Sequence, residues 1–315
     1  MNSLHWTKLG VVFAPSSDHA WVKSHAQIPT ALVLPDRIRV YFATRPVPGS
    51  SATTFLDVDR ADPTRLLHVH HEPVLTAGPP GAFDEHGIMP SCVLKHEGRV
   101  WLYIGGWSRR HSIPYSNWTG IAVSDDDGIT FRRMFPGPVV DRTPHETLSA
   151  TAVNVLRRGD DWHMWYASGM RWVEHAGRPE EVYRIRYGHS KDGINWTRPN
   201  EELVPWQREN EPTHRPTVVE RNGVWHMWFC HRGITDFRGG SDAYRLGYAR
   251  STDGRFWVRN DAAAGMDVTP GAWDGEMIAY PYVVEVDDRL LMFYNGNGFG
   301  ASGIGVASLP LSALQ

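Results

Sequence analysis

SDDDGITF at residues 124–131, SKDGINWT at 190–197 and STDGRFWV at 251–258 share one pattern: Ser, Asp, Gly, then an aromatic residue. Ser and Asp side chains satisfy nearby backbone amides, and Gly accepts the positive φ of a tight turn. The aromatic then opens a strand. One such turn says little. Three of them follow similar strands (WTGIAVS to Ser124, YRIRYGHS to Ser190, YRLGYARS to Ser251), and together they define a repeat. GIGVAS, ending at Ser308, is a further copy without its turn.

Upstream of each copy lies a hairpin: an apolar strand, a charged or Gly-containing turn and an aromatic-rich strand. The five hairpins begin at Ile28, Met89, Ala150, Arg215 and Tyr280. Their repeat marks, Pro29, Pro90, Thr151, Pro216 and Pro281, are spaced by 61, 61, 65 and 65 residues. Each unit has room for four strands, and almost nothing reads as helix. The pattern predicts an all-β chain, residues 1–315 as a single domain: a five-bladed β-propeller of four-stranded antiparallel blades. A parallel α/β sheet is excluded by the lack of crossover helices. HWTKLGVV, from His5, resembles the outer strand of the third copy. It is expected to supply the missing strand of the last blade and close the ring, with Trp6 as that strand's aromatic.

Lys plus Arg is 32 and Asp plus Glu is 35, a net charge of -3, which argues against nucleic acid and membrane as partners. The N-terminus lacks the features of a secretory signal. Cys92 and Cys230 both sit in apolar runs and read as buried thiols, a pattern that suits a reducing compartment. A cytoplasmic location is expected. The oligomeric state is open.

Polar residues just before the repeat marks converge on the central channel of a propeller. Glu85, Glu146, Glu211 and Glu276 each lie five residues before a mark. Carboxylates facing one cavity raise one another's pKa, a route to a general acid beside a general base. Glu85 and Glu276 are assigned to the base side, with Glu146 or Glu211 as the acid. The competing reading is a structural acid that each blade inherits. The neighbours differ between blades, as substrate contacts would: His25 and Gln27, Asp84 and His86, His145, His214 and Arg215, Asp274 and Tyr280. His25, His86, His145 and His214 from four blades could also hold a divalent cation, although no local spacing marks a metal site and no cofactor is required. Trp162, Trp165, Trp225 and Trp228 read as blade core. Trp107 and Trp172, with Phe237 and Phe299, fall in expected loops and are candidates for stacking on sugar faces. The segments 105–117, 169–182 and 231–243 are expected to wall the cavity, and their Arg residues to attract an anion.

The five copies, the Ser-x-Asp-Gly-x-x-Trp turns and the Pro-bearing inner strands resemble the five-bladed glycoside-hydrolase superfamily of arabinanase-like, invertase-like and mannoside-phosphorylase-like enzymes. The resemblance spans nearly the whole chain. It implies acidic residues on inner strands of different blades. The arabinanase-like set does not carry over: Ile28 stands before the first Pro, Ser91 after the second, and Ser149 and Ala150 at the third position. SDDDGITF also matches the Asp-box of sialidases. Those have six blades and an Arg triad, whereas Arg215 is the only Arg in the aligned lead-ins. The expected function is a carbohydrate-active enzyme, glycoside hydrolase or phosphorylase-like, working on a small glycoside or sugar derivative. The alternatives are a noncatalytic sugar-binding propeller, or a metal-assisted enzyme of another class on the same fold.

Overall fold

A computed structural model of the chain describes residues 4–16 and 21–314. Nineteen strands form five antiparallel units that resemble propeller blades, numbered here in chain order; a parallel pairing of Trp118 with Ala150 joins the second and third into one seven-stranded sheet. Blade one holds β2 (Gln27–Val33), β3 (Arg37–Thr44), β4 (Ala52–Asp59) and β5 (Leu66–Val69). Blade two holds β6 (Gly87–His96), β7 (Arg99–Arg109), β8 (Tyr115–Ser124) and β9 (Arg132–Arg133). Blade three holds β10 (Ala150–Arg158), β11 (Asp161–His175) and β12 (Arg178–Ser190), with a single bridge, His189 to Thr197, where the other blades have a fourth strand. Blade four holds β13 (Thr213–Arg221), β14 (Val224–His231), β15 (Arg245–Ser251) and β16 (Val258–Arg259). Blade five holds β17 (Ala279–Val286), β18 (Arg289–Asn295) and β19 (Ile304–Pro310). The N-terminal strand β1 (Thr7–Phe13) pairs antiparallel with β19 as the fourth strand of that sheet, in the place the sequence assigned to it.

Alternation along the strands sends apolar side chains to both faces of every blade, so the core lies in layers between blades. Tyr41, Phe55, Ile88 and Leu102 pack between blades one and two. Trp101, Tyr103 and Trp162 fill the next layer, and Trp165, Trp225 and Met227 the one after. Trp6, Trp228 and Met292 lie between blades four and five, and Phe42, Tyr282 and Phe293 between five and one. Trp162, Trp165, Trp225 and Trp228 are all buried. Cys92 and Cys230 are buried and unbridged.

The Ser-Asp-Gly turns reach across these layers. Asp192 Oδ1 accepts the backbone N–H groups of Ile194 and Asn195, both at 2.8 Å, and Ser190 Oγ accepts that of Gly193 at 3.0 Å. The Gly193 carbonyl in turn accepts the hydroxyl of Tyr103, from blade two, at 2.8 Å. The same bond recurs from Tyr41 to Gly128 and from Trp165 Nε1 to Gly254, both at 2.8 Å. Each turn therefore clips its blade to the preceding one. The turn aromatics follow: Phe131 packs edge-on to Tyr41, Trp257 to Trp165 and Trp6 to Trp228. Gly193 is required twice over, since its φ is +72° and a Cβ there would lie 2.8 Å from the Trp162 ring.

The inner strands are bulged at their repeat marks. Pairing shifts register between Gln27 and Thr30, His214 and Thr217, and Ala279 and Tyr282. Ile28, Arg215 and Tyr280, each just before a Pro, hold φ of 57°, 56° and 53°. Bulges re-aim side chains, and here they do so at the inner end of the blades.

Candidate active site

A cavity of about 670 Å³ opens at the end of the molecule where the bulged inner strands begin. Two hairpins wall it by continuing past their blades. β11 and β12 run to 15 and 13 residues and carry Trp172, Arg178 and Glu180 above blade three. β7 and β8 do the same with Trp107 and Tyr115. Trp107 and Trp172 therefore stand on strands, not in the loops the sequence suggested. The third expected wall, 231–243, is irregular after β14 and contributes Arg232, Phe237 and Arg238.

Of the residues singled out from sequence, Gln27, Trp107, Trp172, His214 and Tyr280 line the cavity, as do Phe237 and Phe299. The four Glu do not. Glu146 and Glu211 are buried in ion pairs: Arg198 reaches Glu146 at 3.1 Å, and Arg259 grips Glu211 with two nitrogens at 2.6 and 3.0 Å. In blades two and five the matching pairs are Arg133 with Asp84 and Lys8 with Asp274, each at 2.6 Å. The basic partner always stands two residues beyond the turn aromatic: Phe131, Trp196, Trp257 or Trp6. The recurring acid is thus Asp84, Glu146, Glu211 and Asp274, which ties the lead-in of each blade to its own outermost strand. The lead-ins differ in length, so a fixed offset of five residues selected Glu85 and Glu276 in place of Asp84 and Asp274. Glu85 instead accepts the backbone N–H of Gly81 at 2.7 Å, and Glu276 is exposed. Glu211, despite a desolvation that raises its pKa, is held down to about 2 by hydrogen bonds from His231, Arg259 and the Gln207 amide.

The other candidates also lie off the cavity wall. His25 contacts Ser24, His86 stands behind Trp107 with ring centroids 5.9 Å apart, and His145 is exposed. Among the described residues, no group of three or more His, Cys, Asp or Glu is placed to hold a metal ion, so the four His do not assemble. Arg215 is fully buried and turns away into the hub. It donates to the Pro29 carbonyl at 3.0 Å, to Thr30 Oγ1 at 2.8 Å and to the Ser91 carbonyl, joining inner strands of blades one, two and four.

The side chain that sequence reasoning missed is Glu181, on the third strand of blade three. It is 1% exposed. Ser149 Oγ donates to one carboxyl oxygen at 2.5 Å and Tyr183 Oη to the other at 2.6 Å. Desolvation pushes its pKa up to about 7, against hydrogen bonds that pull it down. Gly169 makes the room, for a Cβ there would lie 2.2 Å from Glu181 Oε1. Tyr183 lines the cavity and also bonds the Tyr115 hydroxyl at 2.8 Å, so a proton on Glu181 is one phenol from the cavity. Glu180, on the opposite face of the strand, lines the cavity and pairs with Arg238 at 2.7 Å. His214 is kept neutral, its pKa lowered to about 3 by burial and then by Arg215 and Arg232. Four polar atoms of the walls have no hydrogen-bond partner: Asn117 Oδ1, Trp172 Nε1, His214 Nδ1 and Arg232 Nε.

Solved structures of glycoside hydrolases share this fold. A glycosyl hydrolase from Bacteroides ovatus superposes with a TM-score of 0.73 at 13% identity, over 98% of this chain and 94% of that one. A thermostable family-43 glycoside hydrolase gives 0.68 at 12%, over 90% and 88%. The Bombyx mori GH32 β-fructofuranosidase BmSUC1 gives 0.61 at 13%, over 92% and 62%. At such identities the likeness is one of fold. No protein-family model matches the sequence. The chain belongs to the family of the uncharacterised Mycobacterium tuberculosis proteins Rv1502 (strain H37Rv) and MT1551 (strain CDC 1551). It is 34% identical to each over 306 residues, 96% of this chain and 99% of each relative.

Proposed function

We propose that the protein is a carbohydrate-active enzyme that cleaves a small glycoside or sugar derivative in this cavity by acid/base chemistry. The observation that carries the reading is Glu181: a carboxyl with a pKa of about 7, hydrogen-bonded through Tyr183 to an aromatic-walled cavity. An acid near neutrality is suited to proton transfer in both directions. Glu181, through the Tyr183 hydroxyl, gives a proton to the leaving glycosidic oxygen as the bond to the anomeric carbon breaks. Water or phosphate adds to that carbon, and Glu180 is the carboxylate placed to take the proton released from water. Trp107 and Trp172 supply faces on which a sugar ring stacks.

This reading takes the five blades as a closed ring in which β1 completes blade five and holds the cavity walls in register. Deleting residues 1–12 would then cause global loss of stability; an unchanged thermal melt would sink that part. Residues 1–3 lie outside the described region. The enzymatic reading is tested by a panel of aryl glycosides assayed with the wild type and Glu181→Gln. Turnover by the wild type that the variant loses supports it. Equal turnover by both removes Glu181 from the chemistry. Binding without turnover is the second reading, favoured by the Arg238 ion pair that occupies Glu180; saturable sugar binding with no product after long incubation would establish it.

A further inference from the structure

The cavity walls carry an unbalanced charge. Arg45, Arg178, Arg232 and Arg238 line it, and Glu180 is the only acid among the lining residues. Arg238 is matched by Glu180 at 2.7 Å. Among the described residues, Arg45, Arg178 and Arg232 have no carboxylate partner. Arg45 donates to the Gln27 side-chain oxygen at 3.1 Å. Arg232 is 5% exposed; it donates to the carbonyls of Gly233 and Glu181, at 2.7 and 3.3 Å, and meets the Tyr244 hydroxyl, while its Nε has no partner and the Glu181 carboxyl acts on it without forming an ion pair. Its guanidinium lies 3.7 Å over the Phe237 ring. Elsewhere in the molecule buried guanidiniums are neutralised: Arg39 by Asp57 at 2.8 Å, Arg198 by Glu146 and Arg259 by Glu211. Two others differ: buried Arg186 only shares Glu146 with Arg198, at 3.9 Å, and Arg215 spends its donors on the hub. Burying an uncompensated charge is costly, and an arrangement that does so at a cavity wall suits a ligand that brings the opposite charge.

We propose that the ligand of this cavity is a sugar bearing a negative charge, a carboxylate or a phosphate group, received by Arg232 and Arg45. This rests on the carbohydrate reading above and narrows it. Arg232 presents the rigid fork suited to either group, and its aromatic neighbours Phe237 and Tyr244 fix its plane. His214, uncharged beside it, leaves Nδ1 for a sugar hydroxyl.

Matched sets test this: hexuronates, hexose phosphates and the corresponding neutral hexoses, with inorganic phosphate and acetate, titrated by tryptophan fluorescence at low and high salt. The expected result is that a charged sugar binds at least about tenfold tighter than its neutral counterpart. Arg45→Gln and Arg232→Gln should each remove most of that preference, and salt should weaken it. The two charged sets tell carboxylate from phosphate. Arg45 is exposed at the rim, so its variant reports even where Arg232→Gln fails to fold. Neutral sugars binding as tightly as charged ones, or no response to any anion tested, overturns the proposal. The two readings fail separately: turnover of neutral aryl glycosides indifferent to both Arg variants keeps the enzyme and removes the anion, whereas charge-dependent binding without turnover does the reverse.

Discussion

Asp192 and Glu181 sit in the same blade, 11 residues apart, and illustrate the two ways this molecule treats a carboxylate. Asp192, in the outward turn, accepts two backbone amides, the Asn195 side chain and Ser190, and these outweigh desolvation to hold its pKa near 2. Glu181, at the cavity end, is buried with two hydroxyls for partners, and desolvation carries it to about 7. One carboxylate is fixed in its charged form to build a turn. The other is left between forms, where it can exchange a proton. The Arg residues divide in the same way, ion-paired along the blade edges and, for Arg45, Arg178 and Arg232, without a carboxylate pair at the cavity.

The widest gap between the two regions should appear in catalysis. Glu181→Gln is expected to lower turnover about 10²- to 10⁴-fold, the usual contribution of a positioned acid or base, with substrate affinity largely kept. Asp192→Asn should leave kcat unchanged.

The Arg comparison can be broken by denaturation. Arg259→Met strands the Glu211 carboxylate and should cost about 3 kcal/mol in urea unfolding, and adding Glu211→Met should recover much of it. Arg232→Gln strands no carboxylate and should cost far less. Equal losses would mean that the cavity Arg residues are structural after all.

The pH dependence separates the two carboxylates by sign. The folded-state pKa of Glu181 lies above its unfolded value, so its contribution is full below about pH 4.5 and is lost as pH rises through about 7. That loss is on the order of 3 kcal/mol by pH 8 and above, and Glu181→Gln should flatten that slope in thermal melts. Asp192 is depressed, so its contribution is present above about pH 4 and lost as pH falls towards 2. Asp192→Asn should flatten only the acid limb.

The smallest effect probes a clip. Tyr103→Phe keeps the ring but removes the donor to Gly193, for an expected loss of about 1 kcal/mol.

Much of the fold was legible because its turns are chemically constrained: Ser, Asp and Gly each satisfy a backbone demand that recurs in blades two, three and four, and the aromatic must fill an inter-blade layer. The turn aromatics pack across to the preceding blade, Trp196 against Tyr103 among them. The site was less legible for two physical reasons. The lead-ins to the inner strands vary in length, so a regular spacing of Glu in the sequence does not correspond to a regular position in space. The shared acid that emerges is a latch to Arg133, Arg198, Arg259 or Lys8. Glu181 lies on a third strand, outside the inner-strand lead-ins. Its local signal is Gly169, a small residue in β11 whose need is visible only once the strands are paired. Aromatic and Arg residues of the cavity walls were more readable, since Trp107, Trp172, Arg232 and Phe237 break the blade pattern in the sequence itself.

The forward clips also make the blades unequal. Blades one, two and three each hand a hydrogen bond to the next turn, and Trp228 Nε1 reaches the Ala264 carbonyl at 3.2 Å in a weaker version. The corresponding position of blade five is Phe293, which has no donor, and blade one has no Ser-Asp-Gly turn to receive one. That junction relies on Asn295, which accepts the Ile28 amide at 2.8 Å and donates to the Ala26 carbonyl at 2.7 Å, and on the exposed Arg60–Asp287 pair. The molecule therefore has a seam. Amide hydrogen exchange should be fastest, among the buried strands, along β2 and β18, where thermal opening would begin.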